Sequence, residues 1–191
     1  MNNKKRKTVF CILDILLVVI LTAADRITKS MAVSMLKGSD PVQLIPGVLE
    51  FQYLENRGAA FGMLQNQKYF FVIVSIVFLA GIFFALNKIP VIKKYRLLRF
   101  CLCMISAGAI GNLYDRVMFD YVIDFIYFVY INFPVFNVAD CYLTVSTAIL
   151  LILFIFVYRE DDLNMKKANT PKIHSSMLEP SEDDNYDGSK K

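Results

Sequence analysis

Four long apolar runs divide the chain, at Val9–Ala24, Tyr69–Leu86, Leu97–Leu113 and Ala139–Tyr158, with polar or mixed segments between them. Each approaches the roughly 20 residues needed to cross the hydrocarbon core of a bilayer. In lipid such a segment must satisfy its own backbone hydrogen bonds, which makes each run a helix. After the first run, "DRITKSMAVSMLKG" keeps a helical pattern to Gly38, where Gly and then Pro41 stop it, giving a short amphipathic helix. Leu49, Phe51 and Tyr53 then alternate with Glu50 and Gln52, the period-two pattern of a strand, and Gly58 and Gly62 bracket a turn or loop. A second β-branched and aromatic run, "YVIDFIYFVYI", lies between the third and fourth apolar runs and is suited to pair with the first. The expected fold is therefore a membrane all-α bundle of four transmembrane helices, with a small β-cradle on the outer membrane surface. Residues 1–158 form the membrane-embedded unit. Residues 159–191 are polar, with an acidic "SEDDNYD" cluster, and read as a disordered tail. No internal repeat is evident.

Composition fits this class: 56% of the 191 residues are hydrophobic, and mean hydropathy is +0.47. Charge placement adds an orientation. Lys4, Lys5, Arg6 and Lys7 precede the first span, Lys88, Lys93, Lys94, Arg96 and Arg99 fill the link between the second and third, and Arg159, Lys166 and Lys167 follow the fourth. The 120–138 connection has no Lys or Arg. The positive-inside bias puts both termini in the cytoplasm and both long connections outside. The net charge of +4 reflects this topology and gives no case for nucleic acid. A basic start, an apolar run and "LTAAD" also suit a cleaved signal peptide, but the charge bias works best with the first span retained. Cys11, Cys101, Cys103 and Cys141 fall in or beside spans without a C-x-x-C pair, and read as small apolar packing residues.

The only histidine, His174, lies in the tail. A Ser–His or Cys–His nucleophile pair therefore lacks its base, and no H-E-x-x-H zinc site exists. Lys29 and Ser30 are adjacent on a helix, about 100° apart, and do not face each other as a Ser–Lys pair would. Carboxylates are left as the agents of any catalysis, with no metal and no cofactor implied.

Polar residues gather at the outer ends of the spans. Asp25 and Lys29 are i,i+4, with the acid N-terminal, which suits an ion pair. Asn56 and Arg57 follow in "ENRGAAFG". In "GAIGNLYDR", Asn112 and Arg116 share a helix face, while Gly108 and Gly111 permit close approach of a neighbouring helix. Asp115 beside Arg116 suits an interfacial ion pair. Asn137 or Asp140 suits the N-cap of the fourth span. Asp14, deep in the first span, is expected to reach toward Lys4–Lys7. Asp124 interrupts an apolar strand with no cation nearby in sequence, a costly placement. If Asp124 and Asp140 converge, repulsion and low dielectric raise the pKa of one, and the two titrate as a unit. That is the aspartic-protease arrangement, in which one acid takes a proton from water and the other polarises the scissile carbonyl. A proton- or ion-coupled transporter and a non-catalytic membrane scaffold stay open on spacing alone.

The motifs "DRITK", "ENRGAAFG", "GAIGNLYDR", "VIDFI" and "FNVAD" occur in the order seen in the bacterial lipoprotein signal peptidase (signal peptidase II) family, which the chain resembles from Val9 to Tyr158. The resemblance implies a four-helix membrane aspartyl protease that cuts prolipoproteins before a diacylglyceryl-modified Cys. It implies Asp124 and Asp140 as the catalytic dyad, and Asp25, Lys29, Asn56, Gly58, Gly108, Asn112, Arg116 and Asn137 as supporting or substrate-positioning residues. Asn112 and Arg116 are expected to orient substrate backbone or lipid, and Asn137 to support the dyad. Partners implied are diacylglyceryl-modified prolipoproteins, membrane lipid, and the inhibitors globomycin and myxovirescin. The implied location is the bacterial cytoplasmic membrane, with the site near the outer leaflet. Phe133, Phe136, Phe61 and Tyr53 are expected to line or lid the site. The acidic tail is no part of the family pattern.

Overall fold

A computed structural model describes residues 3–58 and 63–158. Phe61 and the 159–191 tail lie outside the described residues. The chain runs α1 (Asn3–Leu36), β1 (Val42–Ile45), β2 (Leu49–Asn56), α2 (Lys68–Lys88), α3 (Arg96–Phe119), β3 (Val122–Phe128) and α4 (Val138–Ile152), with one π-helical turn, Leu153–Val157, extending α4. Among the described residues, four helices are long and apolar enough to cross a membrane. The amphipathic stretch after the first span is no separate helix: it is the distal part of α1, which rises about 51 Å at 1.5 Å per residue and so outlasts a bilayer core.

Burial sorts the helices by role. Along α3 a majority of residues are enclosed, whereas α1, α2 and α4 leave most of their apolar side chains exposed. In water that would be an aggregation hazard, but in lipid it is the solvated face. Thus α3 is the central helix, with α1, α2 and α4 packed on it. Small residues allow this. A Cβ at Gly108 would meet the Ala139 carbonyl oxygen at 2.5 Å, and one at Gly111 would land on the Asp25 carboxylate. Both glycines therefore let α4 and α1 approach α3 closely.

The three strands form one antiparallel sheet in the order β1-β2-β3. β2 and β3 pair as their patterns predict, with Leu54 opposite Asp124 and Asn56 opposite Val122. Ile123 and Phe125 pack with Ala32 and Leu36, so the distal part of α1 carries the sheet. Tyr53 also packs against this cluster. It does not line the cleft described below, contrary to expectation, because its period-two register turns it toward α1.

At the opposite, Lys-rich end, Ile89, Tyr95, Leu98, Leu153 and Tyr158 form a second core. Here Asp14 departs from expectation. It pairs with Arg99 of α3 rather than reaching Lys4–Lys7. Arg99 also donates to the Leu86 carbonyl at 2.8 Å and the Ile89 carbonyl at 3.2 Å, closing the C-terminal end of α2. A buried guanidinium with several fixed acceptors competes well against lysines in water. The four cysteines are free. Cys101 and Cys103 are buried and Cys11 is exposed.

Candidate active site

At the sheet end, α1, α3, β2, β3 and the start of α4 bring the predicted polar residues together. Asp124 enters on β3 and is 1% exposed. Asn56 Nδ2 donates to its Oδ2 at 2.8 Å, and Asn137 Nδ2 donates to its Oδ1 at 2.6 Å. Neither donor is charged, so the carboxyl is held without being neutralised. Burial first, and then the nearby Asp140 charge, push Asp124 up from 3.8 to about 7, against the opposing effect of the two amides.

Asp140 enters at the first turn of α4. Asn137 is the N-cap and forms a capping box with it: Asp140 N donates to Asn137 Oδ1 at 3.0 Å, and Asn137 N donates to Asp140 Oδ2 at 3.1 Å. Asn112 Nδ2 donates to the other oxygen, Oδ1, at 2.8 Å. The capping reading of Asn137 therefore holds, and the same residue also binds Asp124.

A buried charge cluster sets the orientation of these amides. Lys29, fully enclosed, lies 2.9 Å from Asp25 Oδ2 and 2.9 Å from Asp115 Oδ2. Its third contact is Asn112 Oδ1 at 2.9 Å. An ammonium can only donate, so Asn112 must present its oxygen to Lys29 and its NH2 to Asp140. That oxygen also accepts from Asn137 Nδ2 at 3.2 Å, which leaves the second Asn137 hydrogen for Asp124. Asp25 Oδ1 accepts from the Ala139 backbone N–H at 3.0 Å, capping a second free donor of α4.

Asp115 was missed as a site residue. It does not pair with Arg116 as adjacency suggested. On a helix, successive residues point about 100° apart, and Asp115 turns inward to Lys29 and Arg26 while Arg116 faces the cleft. The i,i+4 relation of Asp115 to Gly111, which also faces α1, was the available signal. Arg116 donates to the Gly58 carbonyl at 3.3 Å and lies over the Phe71 ring, 4.6 Å from its centroid. Gly58 in turn donates its N–H to Asn56 Oδ1 at 3.0 Å.

Asp124 and Asp140 border one cleft of about 960 Å³. Its α2 wall includes Phe71, Val74 and Phe78, its α4 wall Cys141, Leu143 and Val145, and the connection after β3 adds Ile131, Phe133 and Phe136. Phe133 and Phe136 thus line it as expected. Asn56, Gly58, Asn112 and Arg116 also border it, while Asp25, Lys29, Gly108 and Asn137 stand behind. Among the described residues, no cluster of three or more His, Cys, Asp or Glu could hold a metal ion. The arrangement places two acids at the polar end of an apolar groove.

Comparison with known proteins adds a family. Residues 17–156 match the family model described as Signal peptidase (SPase) II. The chain is 40% identical over 142 residues to the "Lipoprotein signal peptidase" of Streptococcus thermophilus, covering 74% of this chain and 90% of that protein. It is 36% identical over 160 residues to that of Clostridium tetani, covering 81% and 98%. Among solved structures, a bacterial membrane enzyme obtained by the in meso method superposes with a TM-score of 0.65 at 30% identity, covering 84% of this chain and 93% of that one.

Proposed function

The chain belongs to the signal peptidase II family, and on that premise we propose that it is a membrane aspartyl endopeptidase. It removes signal peptides from bacterial prolipoproteins by cutting before the diacylglyceryl-modified Cys, with Asp124 and Asp140 as the catalytic residues. The observation that carries this reading is the convergence of the two acids on one apolar cleft, each oriented by uncharged amides.

The buried Asp124 carries the shared proton and hydrogen-bonds the scissile carbonyl. Asp140, at the positive end of the α4 dipole, takes a proton from water as the hydroxide oxygen bonds to the carbonyl carbon. The tetrahedral intermediate collapses when the C–N bond breaks and the Cys nitrogen receives a proton from the pair. Preorganised amides hold both acids in place, so little reorganisation accompanies the step.

The cleft suits a lipidated substrate. Its apolar α2 and α4 walls accept a signal helix and acyl chains, and Arg116, which borders the cleft, orients substrate backbone or lipid headgroup. Asn137 and Asn56 support the dyad, while Asp25, Lys29 and Asn112 orient it, and Gly58 and Gly108 let their neighbours close on the site. The Lys-rich end lies in the cytoplasm with both termini and the 159–191 tail, and the cleft opens near the outer leaflet of the cytoplasmic membrane. Globomycin and myxovirescin are expected to bind there. Transport is less well supported, since the acids gather at one end of the bundle rather than at its middle.

The test is processing of a prolipoprotein by purified enzyme. Asp124→Asn and Asp140→Asn are expected to abolish cleavage while the protein still folds; full activity in either would overturn the reading.

A further inference from the structure

Two residues outside the dyad and outside the cleft, Asp115 and Arg26, tie both acids to one charge cluster. Asp115 is fully enclosed on α3. Its Oδ2 lies 2.9 Å from Lys29 Nζ and accepts the Ile123 backbone N–H at 3.3 Å, one residue before Asp124 on β3. Its Oδ1 accepts from Arg26. Through Lys29 and Asn112, the same carboxylate reaches Asp140. Asp115 therefore touches the supports of both acids, one through a strand backbone and the other through a lysine and an amide.

The charges explain why Arg26 is needed. Asp25, Asp115 and Lys29 alone would leave one uncompensated negative charge beside the dyad. Arg26 brings the sum to zero. Its guanidinium sits 4.7 Å from the Tyr114 centroid and 5.6 Å from that of Phe119, a cation–π seat that holds it against Asp115 at 25% side-chain exposure. Among the described residues, Arg26 and Lys29 are the cations paired directly with Asp115. Arg116 faces the cleft from α3, the Glu55 charge beside Asn56 on β2 is matched by Lys37 and Arg57, the cleft residues of α2 carry no charge, and α4 contributes Asp140, the thiol of Cys141 and the phenol of Tyr142, which faces Asp25.

We infer that Asp115 is a positioning residue that fixes Asp124 and Asp140 relative to each other, and that Arg26 is the counter-charge that keeps the buried cluster neutral so that the pair can share a proton. This rests on the aspartyl-protease reading and adds two residues to it.

The test is the pH dependence of prolipoprotein cleavage by the full-length enzyme, with kcat and KM determined separately. Arg26→Gln leaves the cluster one charge negative. Extra negative charge favours the protonated form of both acids, so both limbs of the kcat profile should move to higher pH, by roughly half a unit. Arg26→Lys, which keeps the charge, should restore the wild-type limbs. Asp115→Asn should lower kcat on the order of 100-fold by displacing the acids, with KM little changed because neither residue borders the cleft. A merely structural role would lower the yield of folded enzyme and leave the limbs in place. If Arg26→Gln does not fold, Tyr114→Ala carries the test, because stripping the ring exposes Arg26 to water and screens its charge, giving a smaller shift in the same direction. Unmoved limbs in the variant that folds, or a KM effect with unchanged kcat in Asp115→Asn, overturn the inference. Loss of cleavage in the wild type overturns the protease reading instead.

Discussion

Lys29 Nζ lies 2.9 Å from Asn112 Oδ1, and that bond decides which way the Asn112 amide faces Asp140. A lysine buried in α1 thereby sets the hydrogen bonding of an acid on α4, through a side chain of α3. Lys29 is held by Asp25 and Asp115, so its charge is matched within the bundle rather than by water.

Lys29→Met would leave these two carboxylates without their common cation. Breaking a buried charge pair by removing one partner costs about 3–5 kcal/mol, and Asn112 also becomes free to flip. The variant is expected to show a lower midpoint of thermal unfolding in detergent and loss of cleavage even in its folded fraction.

The proton on the pair sets a pH window. Because Asp124 is pushed up to about 7, it keeps its proton well above the ordinary carboxylate range and gives it up around neutrality, and cleavage should fall as pH rises through that value. The same shift acts on stability with a definite sign. The folded state binds this proton more tightly than the unfolded chain, so the stabilisation is complete below 3.8 and lost as pH rises through about 7. A kcat profile with no alkaline limb near neutrality would count against the assignment of the proton to Asp124.

Gly108→Ala and Gly111→Ala should separate packing from chemistry. At Gly108 the added methyl meets a backbone carbonyl, which cannot move without shifting α4. Overpacking of this kind costs about 1–3 kcal/mol, and a lower unfolding temperature is the expected readout. At Gly111 the methyl displaces the Asp25 carboxylate that caps Ala139. Here the fall in kcat should exceed that of Gly108→Ala.

Arg99→Gln provides the contrast at the other end of the bundle. It frees Asp14 and the last carbonyls of α2, so thermal stability should fall. The pH limbs of cleavage should stay in place, since this cluster sits at the Lys-rich end, away from the cleft. A displaced pH profile would show coupling between the two ends.

Hydrophobic runs long enough to span a bilayer leave few alternatives to helices, because unpaired backbone groups are too costly in lipid. The four spans and the pairing of β2 with β3 were therefore legible from patterning. β1 was not. Its "VQLI" is too short for periodicity to register, and it forms because β2 offers a free edge. Asp124 was legible as an anomaly, an acid in an apolar strand, and Asp140 with Asn137 as a capping pattern. The partners of Asp14 and Asp115 were misread because adjacency in sequence was taken for adjacency in space. Asp14 finds Arg99 and Asp115 finds Arg26, across 85 and 89 positions of chain.

By itself, then, the sequence determined the membrane helices, the pairing of β2 with β3 and most of the polar residues of the site, since these follow from local periodicity and from the cost of charge in lipid. The tertiary structure decided which donor faces which acceptor. Close packing at Gly108 and Gly111 draws α1, α3 and α4 together, and only then can the single hydrogen-bond sense of Lys29 fix Asn112, Asn137 and both acids. That ordering depends on contacts between distant segments, and no local pattern encodes it.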